Sequence, residues 1–441
     1  MSDARATICA LASGPPPSAI SIVRISGPKV REICASIFEN GLPAPRRMVF
    51  GRFLDVSRET IDEGLGVFMP APNSYTGEDT AELYLHGGAA VIDHALDTIC
   101  AFEGTRLAEP GEFTRRAFEN GRLDLVEAEG VADLIDAETR AQKSLALDQL
   151  DGRLSAQYGE WRAGLVEALA LLEVSIDFPD EEDAPDETSS PVAQTLKSIA
   201  GTLKSALQDD EIGERIRDGF RIAIVGPPNA GKSSLLNRLA RREAAIVSGI
   251  PGTTRDVVEV RLKLGGQIVW VADTAGLREA SDAIEAEGIR RARERAEQAD
   301  LRLHLRAADE MSDFEDARPG DLKIINKTDL TQAKFGDEDT LLISTVTGQG
   351  FEALETRLGD IISARANTGH APLITRKRHR KSLETSLFHV EQALDLLDRG
   401  GGAELVAEDV RLAARQLSSL VGEIGVEEIL GAVFSSFCIG K

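Results

Sequence analysis

The eight residues GPPNAGKS at 226–233 constrain this chain more than any other stretch. They fit G-x-x-x-x-G-K-[ST] and lie between an apolar run, FRIAIV, and a helical run, SSLLNRLA. A buried strand, a glycine-rich turn and a helix in that order predict the opening of a nucleotide-binding α/β domain, run here over residues 217–365. Backbone N–H groups of the turn, together with the helix N-terminus, suit phosphate oxygens. Asn229, Ala230, Gly231, Lys232, Ser233 and Ser234 form the cradle. Lys232 reaches the β- and γ-oxygens, and Ser233 offers a hydroxyl to Mg²⁺.

Further motifs follow in order. GTTRD supplies Thr254 as a second magnesium hydroxyl on a mobile loop. DTAG (273–276), after the apolar strand IVWVA, supplies Asp273 for the magnesium shell, then Thr274, Ala275 and Gly276, whose glycine N–H senses a γ-phosphate. NKTD (326–329) ends the strand LKII and selects the base. Asp329 accepts hydrogen bonds from guanine N1–H and the exocyclic amine, a pairing that adenine does not offer, while Asn326 and the Lys327 stem pack beside the ring. ISTVTG (343–348) brings Ser344 and Thr345, the threonine standing where S-A-x-x-G has alanine. A backbone contact to guanine O6 stays open there, but the change puts nucleotide affinity in question.

Leu277 follows DTAG, where signalling GTPases carry a water-orienting glutamine. Glu279, Asp282, Glu285 and Glu287 are the nearby acids that could take that role or could simply be solvated. LRLHLRAAD (301–309) alternates charges with leucines where a parallel sheet expects a nearly uniform apolar strand. An edge or a snorkelled face is the favoured reading there, with charges buried against partners as the alternative.

At 441 residues the chain has room for two to four domains. Residues 1–118 carry strand-like runs such as SAISIVRIS and AELYLHGG, then a helical AAVIDHALDTIC, and are expected to form an α+β domain. Helical stripes flank the nucleotide domain: Leu165, Leu169, Leu172 and Ile176 on one side, Leu383 to Leu397 and Val406 to Leu420 on the other. The helical portions are therefore 119–216 and 366–441, with the α/β domain inserted between them. The first of these helices stops near Pro179, and the acidic DFPDEEDAPDETSSP is expected as a loop before VAQTLKSIAG resumes.

A net charge of −23 repels nucleic acid at long range. Any RNA contact would rest on a local patch, and ITRKRHRKSLE packs Arg376, Lys377, Arg378, Arg380 and Lys381 together. No apolar run approaches the roughly 18 residues that cross a bilayer, and the N-terminal apolar stretch is short for a secretory signal, so a cytoplasmic protein without membrane contact is expected. Cys9, Cys34, Cys100 and Cys438 form no C-x-x-C pair.

PNSYTGEDTAEL with HGG, EPGEFTRRAFENGRLDLVEAEGVADLIDA, IDFPDEE, AAIVSGIPGTTRDVV, DTAGLREA and the terminal FSSFCIGK together resemble the tRNA-modification GTPase family MnmE, also called TrmE, over essentially the whole chain. The resemblance implies a multidomain fold: an N-terminal α+β tetrahydrofolate-binding and dimerising domain, a helical domain, and an inserted Ras-like P-loop GTPase domain. It implies a homodimer that works with an FAD-dependent MnmG-like protein, in a heterotetramer or larger complex. Together they add an aminomethyl or carboxymethylaminomethyl group at C5 of the wobble uridine of certain tRNAs, using a 5-formyl- or 5,10-methylene-tetrahydrofolate. GTP hydrolysis would be activated by K⁺ and by G-domain dimerisation. Asn229 and the carbonyls of Ser248, Ile250 and Thr253 would hold K⁺, Ser233 and Thr254 would hold Mg²⁺, and Gly249, Pro251 and Gly252 complete the loop around GTP. Glu285 would orient the water. Arg24, Glu82, Arg122 and Lys441 would contact the folate, with the tail reaching back to the N-terminal domain. A ribosome-assembly switch of the Era or Der type is the competing reading. It shares the nucleotide motifs but has no use for a folate pocket.

Overall fold

The computed structural model describes residues 6–177, 186–208, 211–242, 259–273, 294, 296–309, 314, 317–331, 339–366, 372–424, 427–435, 437 and 439–440. The chain divides into two compact units, Met1–Ala132 with Gln149–Ala200 and Thr385–Lys441, and Asp133–Asp148 with Gly201–Glu384.

Among the described residues of the first unit, a six-stranded sheet has the order β3-β4-β5-β2-β1-β6. Its strands are β1 (Thr7–Leu11), β2 (Ser18–Ser26), β3 (Val49–Leu54), β4 (Thr60–Met69), β5 (Thr80–Gly87) and β6 (Thr105–Leu107). Neighbours run antiparallel except β1 and β6. Strand alternation sorts the two faces. Val23, Ile25, Leu83 and Leu85 pack with Val30, Ile33 and Ile37 of the helix Val30–Ile37 and with Ile92, Ala95 and Ile99 of the helix Ala89–Cys100. Intervening residues of the same strands, Arg24 and Glu82 among them, therefore lie on the opposite face.

Downstream, the helix Arg153–Asp177 packs along the helix Ala403–Val421. Leu165 and Leu172 are buried on one and Val406, Val410, Leu417 and Leu420 on the other, so the apolar stripes meet as a bundle seam. The first helix ends at Asp177, two residues before Pro179. The next begins at Asp186, inside the stretch expected to be loop, and carries Pro191 early in its course.

The second unit holds a six-stranded sheet of order β12-β11-β10-β7-β9-β8 among the described residues. It comprises β7 (Phe220–Val225), β8 (Glu259–Leu264), β9 (Gln267–Asp273), β10 (Leu301–Ala307), β11 (Leu322–Asn326) and β12 (Thr340–Leu342), all parallel but for β8. Ile222, Ile224, Leu301, Leu303 and Leu305 share a core with Leu235 and Leu239 of the helix Lys232–Arg242 and with Leu354 and Leu358 of the helix Phe351–Ala366. Each such fully buried leucine or isoleucine contributes about 1.5–3 kcal/mol relative to exposure. That core fixes the C-terminal ends of β7, β10 and β11, where an open parallel sheet places its ligands.

Candidate functional site

At the end of β7 the chain turns through Gly226, whose φ of +147° and near contact demand glycine: a Cβ there would fall 2.0 Å from the Leu305 carbonyl oxygen on β10. Asn229 and Gly231 also take positive φ, +64° and +96°, and bend the loop so that the helix starts at Lys232. The buried Lys232 ammonium donates to the carbonyls of Gly226 and Pro227, both at 2.7 Å. This holds the cation over the loop. Ser233 and Ser234 are exposed in the first turn, as is Asn229 ahead of it. The turn thus concentrates helix-N-terminal N–H groups and one ammonium, a set suited to phosphate oxygens.

Asn326 ties this loop to the base motif. Fully buried, it donates from Nδ2 to the Ala230 carbonyl at 2.9 Å and accepts the Thr345 N–H on Oδ1 at 3.0 Å. Lys327 turns with φ +63°. The exposed Asp329 accepts the Ser344 hydroxyl on Oδ1 at 2.6 Å, which orients its carboxylate. The Thr345 N–H is taken by Asn326, and its hydroxyl lies 3.9 Å from where a Cβ on Gly231 would sit. Sequence reading did not single out Arg238, whose guanidinium binds the carbonyls of Thr345 and Val346.

Ser248, Gly249, Ile250, Pro251, Gly252, Thr253, Thr254, Thr274, Ala275, Gly276, Glu279, Asp282, Glu285, Glu287, Cys438 and Lys441 lie outside the described residues, as does the side chain of Asp273. The structure therefore brings together Asn229 to Ser234 with Asn326, Asp329, Ser344 and Thr345.

The charged strand departs from expectation. β10 lies between β7 and β11 rather than at an edge, and its charges are buried against partners. Arg302 gives Asp321 two hydrogen bonds, at 3.1 and 2.5 Å, His304 Nε2 lies 3.0 Å from the same carboxylate, and the Arg318 N–H donates to it at 2.7 Å. Burial disfavours the Asp321 carboxylate, but these donors outweigh it and hold the pKa below the usual carboxylate range. Arg306 sits over the Phe314 ring, 4.4 Å from its centroid.

In the first unit, β2 and β5 set Arg24 directly opposite Glu82. Arg24 Nε donates to Glu82 Oε1 at 2.9 Å and Tyr84 donates to Oε2 at 2.9 Å. The guanidinium lies 5.4 Å from the Tyr75 ring centroid and 5.7 Å from that of Phe113. Burial, chiefly, raises the pKa of both tyrosines. Arg122 is exposed and its stem lies on Gly77, where a Cβ would come within 3.2 Å of its Cγ. The chain's tail reaches this unit: Phe434 and Phe437 pack with Ala128, and a Cβ on Gly440 (φ +96°) would fall 2.0 Å from the Leu11 carbonyl oxygen. Sequence reading also missed a chain of ion pairs beside it. Glu112 takes Arg106 at 2.6 and 2.7 Å and Arg116 at 2.9 Å, while Arg116 also reaches Glu78 at 3.1 Å. Its one visible signal was the i,i+4 spacing of Glu112 and Arg116.

The basic run is partly engaged within its own unit. Arg376 donates to Asp133 at 2.7 Å and Arg380 to Glu214 at 3.1 Å, so these two are spent within the unit. Lys377 and Lys381 are exposed and Arg378 is half-buried.

A phosphate turn joined through one buried asparagine to an NKTD motif, on a mainly parallel sheet, defines a P-loop GTPase. Residues 7–122 match the family model described as GTP-binding protein TrmE N-terminus, and residues 125–438 match the one described as MnmE helical domain. The chain is 58% identical to the tRNA modification GTPase MnmE of Hyphomonas neptunium over 99% of this chain and 100% of that protein. It is 49% identical to the protein of the same name from Parvibaculum lavamentivorans, over 99% and 100%. It is 49% identical to that of Caulobacter vibrioides, over 99% of each. The chain belongs to the MnmE family. The G domain of the T. maritima FeoB iron transporter covers 34% of this chain and 99% of its own length at 22% identity, with a TM-score of 0.26, and adds nothing to that assignment. Among the described residues no helix is long and apolar enough to cross a membrane.

Proposed function

We propose that this chain binds and hydrolyses GTP and that hydrolysis gates a tRNA modification made with a partner protein. The observation carrying the nucleotide reading is Asn326, which joins the phosphate loop at Ala230 to the base loop at Thr345. Asp329, held by Ser344, reads the guanine N1–H and amine, and Lys232 meets the phosphates. Ser233, with Thr254 and Asp273, would hold Mg²⁺, and Asn229 with the carbonyls of Ser248, Ile250 and Thr253 would hold K⁺. Exposure of Asn229 and Ser233 at the cradle fits both assignments. When bound, these cations offset charge on the phosphates. Glu285 would orient the attacking water.

In the N-terminal domain, Arg24, Glu82 and Arg122, with Lys441 of the tail, would take a tetrahydrofolate. Glu82 offers acceptor oxygens to the pterin's donor edge, Arg24 and Arg122 suit acyl or glutamyl oxygens, and the half-buried Tyr75 supplies a ring face. The folate supplies the one-carbon unit for C5 of the wobble uridine, in a homodimer acting with an MnmG-like FAD protein. Family membership over 7–122 as well as 125–438 favours this reading over an assembly switch. GTP turnover in K⁺ against Na⁺ tests the mechanism. Faster turnover in K⁺, abolished by Asn229→Ala, is expected, and equal rates in the two salts would remove Asn229 as an ion ligand.

A further inference from the structure

Arg238 lies on the same helix as Lys232, among the cations of NRLARR. Its Nη1 donates to the Thr345 carbonyl at 2.8 Å and to the Val346 carbonyl at 3.0 Å. Its guanidinium carbon lies 5.1 Å from the centroid of the fully buried Phe351 ring. Gly348 passes so close that a Cβ there would fall 2.1 Å from Nη2. Val346, in the loop it grips, is 77% exposed.

Peptide planarity gives this grip a direction. In a trans peptide the N–H points opposite to the C=O, so a Thr345 carbonyl turned to Arg238 sends the Val346 N–H away from the guanidinium. The neighbouring donors are already committed, the Thr345 N–H to Asn326 and the Thr347 N–H to the Ser344 hydroxyl at 3.0 Å. The Val346 N–H has no acceptor among the described residues. It belongs to the same short loop as Ser344, which orients Asp329.

We propose that Arg238 is a positioning residue for base recognition: it fixes the Thr345–Val346 peptide so that the Val346 N–H donates to the 6-oxo oxygen of guanine. Because the same helix begins at the phosphate loop, Arg238 also makes the phosphate and base contacts parts of one rigid frame. This offers a reason why threonine in place of alanine at 345 leaves the loop usable, since the contact is made by backbone that Arg238 holds.

The inference rests on the site being a guanine-nucleotide site, and the test separates the two. GDP and 6-thioguanosine diphosphate, whose sulfur is a weaker acceptor than oxygen, are titrated against the full chain and its Arg238→Met, Arg238→Lys and Arg238→Ala variants. Methionine keeps an apolar stem on Phe351 but no donor. In Arg238→Met the Kd for GDP should rise about tenfold, as expected for losing one well-placed hydrogen bond to a fixed loop. The thio analogue should weaken much less, so the preference for GDP collapses. KM for GTP should rise while kcat stays within about twofold, and Arg238→Lys should recover part of the preference. Equal weakening of both nucleotides, or a GDP affinity in Arg238→Met matching wild type, overturns the proposal. Failure of the wild-type chain to bind GDP would instead overturn the nucleotide reading on which it rests.

Discussion

Replacing Asn326 tests the join between the phosphate and base loops. Its side chain is fully buried and makes a hydrogen bond at each end, to the Ala230 carbonyl at 2.9 Å and from the Thr345 N–H at 3.0 Å. Alanine would leave one backbone acceptor and one backbone donor without partners, each costing about 1–3 kcal/mol. Of the resulting total of about 2–6 kcal/mol, some falls on folding and the rest on the bound state. If about 2 kcal/mol falls on binding, the Kd for a fluorescent GDP analogue rises about 30-fold. Asn326→Asp sharpens the test because it preserves volume. Its second oxygen would face the Ala230 carbonyl, acceptor against acceptor, so the aspartate should bind nucleotide no better than the alanine. Titration at fixed Mg²⁺, with the thermal midpoint of the nucleotide-free protein measured alongside, separates binding from folding. An aspartate variant with near-wild-type affinity would refute the reasoning, since it would mean that only the size of residue 326 matters.

Other predictions follow from the remaining clusters. Asp321→Ala leaves Arg302 and His304 buried without their shared counter-charge and should cost about 3–5 kcal/mol in chemical denaturation; a loss under about 1 kcal/mol would show the cluster to be incidental. Because donors hold the Asp321 and Glu112 pKa values below the usual range, their stabilisation is complete above the ordinary carboxylate pKa. It disappears as pH falls through the lowered values, so acid unfolding below about pH 4 should shift in variants lacking either acid. Gly440→Val places a side chain 2.0 Å from the Leu11 carbonyl oxygen at a positive φ, and should weaken 5-formyltetrahydrofolate binding while GTP turnover persists; intact folate binding would detach the tail from the pocket. Lys377→Glu with Lys381→Glu should weaken tRNA binding and flatten its salt dependence. Arg380→Glu, facing Glu214, should instead lower thermal stability; tRNA binding indifferent to both lysines would retire the patch.

What could be read from sequence divides along physical lines. SAISIVRIS, AAVIDHALDTIC and FRIAIV fall on β2, on the helix Ala89–Cys100 and on β7 because period and length are local properties. The phosphate turn was legible for the same reason, as glycines and a lysine at fixed spacing encode one backbone path. β10 was misjudged because its neighbours are set by topology: LRLHLR looks like an edge until Asp321, distant in sequence, supplies the counter-charge. Arg376 and Arg380 were likewise counted as free cations, although Asp133 and Glu214, far away in sequence, neutralise them. Arg238 carried no signal, since its role depends on two carbonyls more than a hundred residues downstream. The Arg24–Glu82 pair was nominated by family resemblance alone; its register across β2 and β5 supplies a physical reason for the two to meet. The 3.5 Å approach of the Cys9 and Cys100 sulfurs was equally hidden from spacing.

The central claim is that a guanine-nucleotide switch in this chain serves wobble-uridine modification. Mass spectrometry of tRNA nucleosides from a strain lacking the chain, restored with either wild type or Asn326→Asp, measures it most directly. Loss of the C5-modified wobble uridine in the deletion, recovery with wild type and failure with Asn326→Asp is the predicted pattern. Unchanged modified nucleoside in the deletion strain would contradict the account.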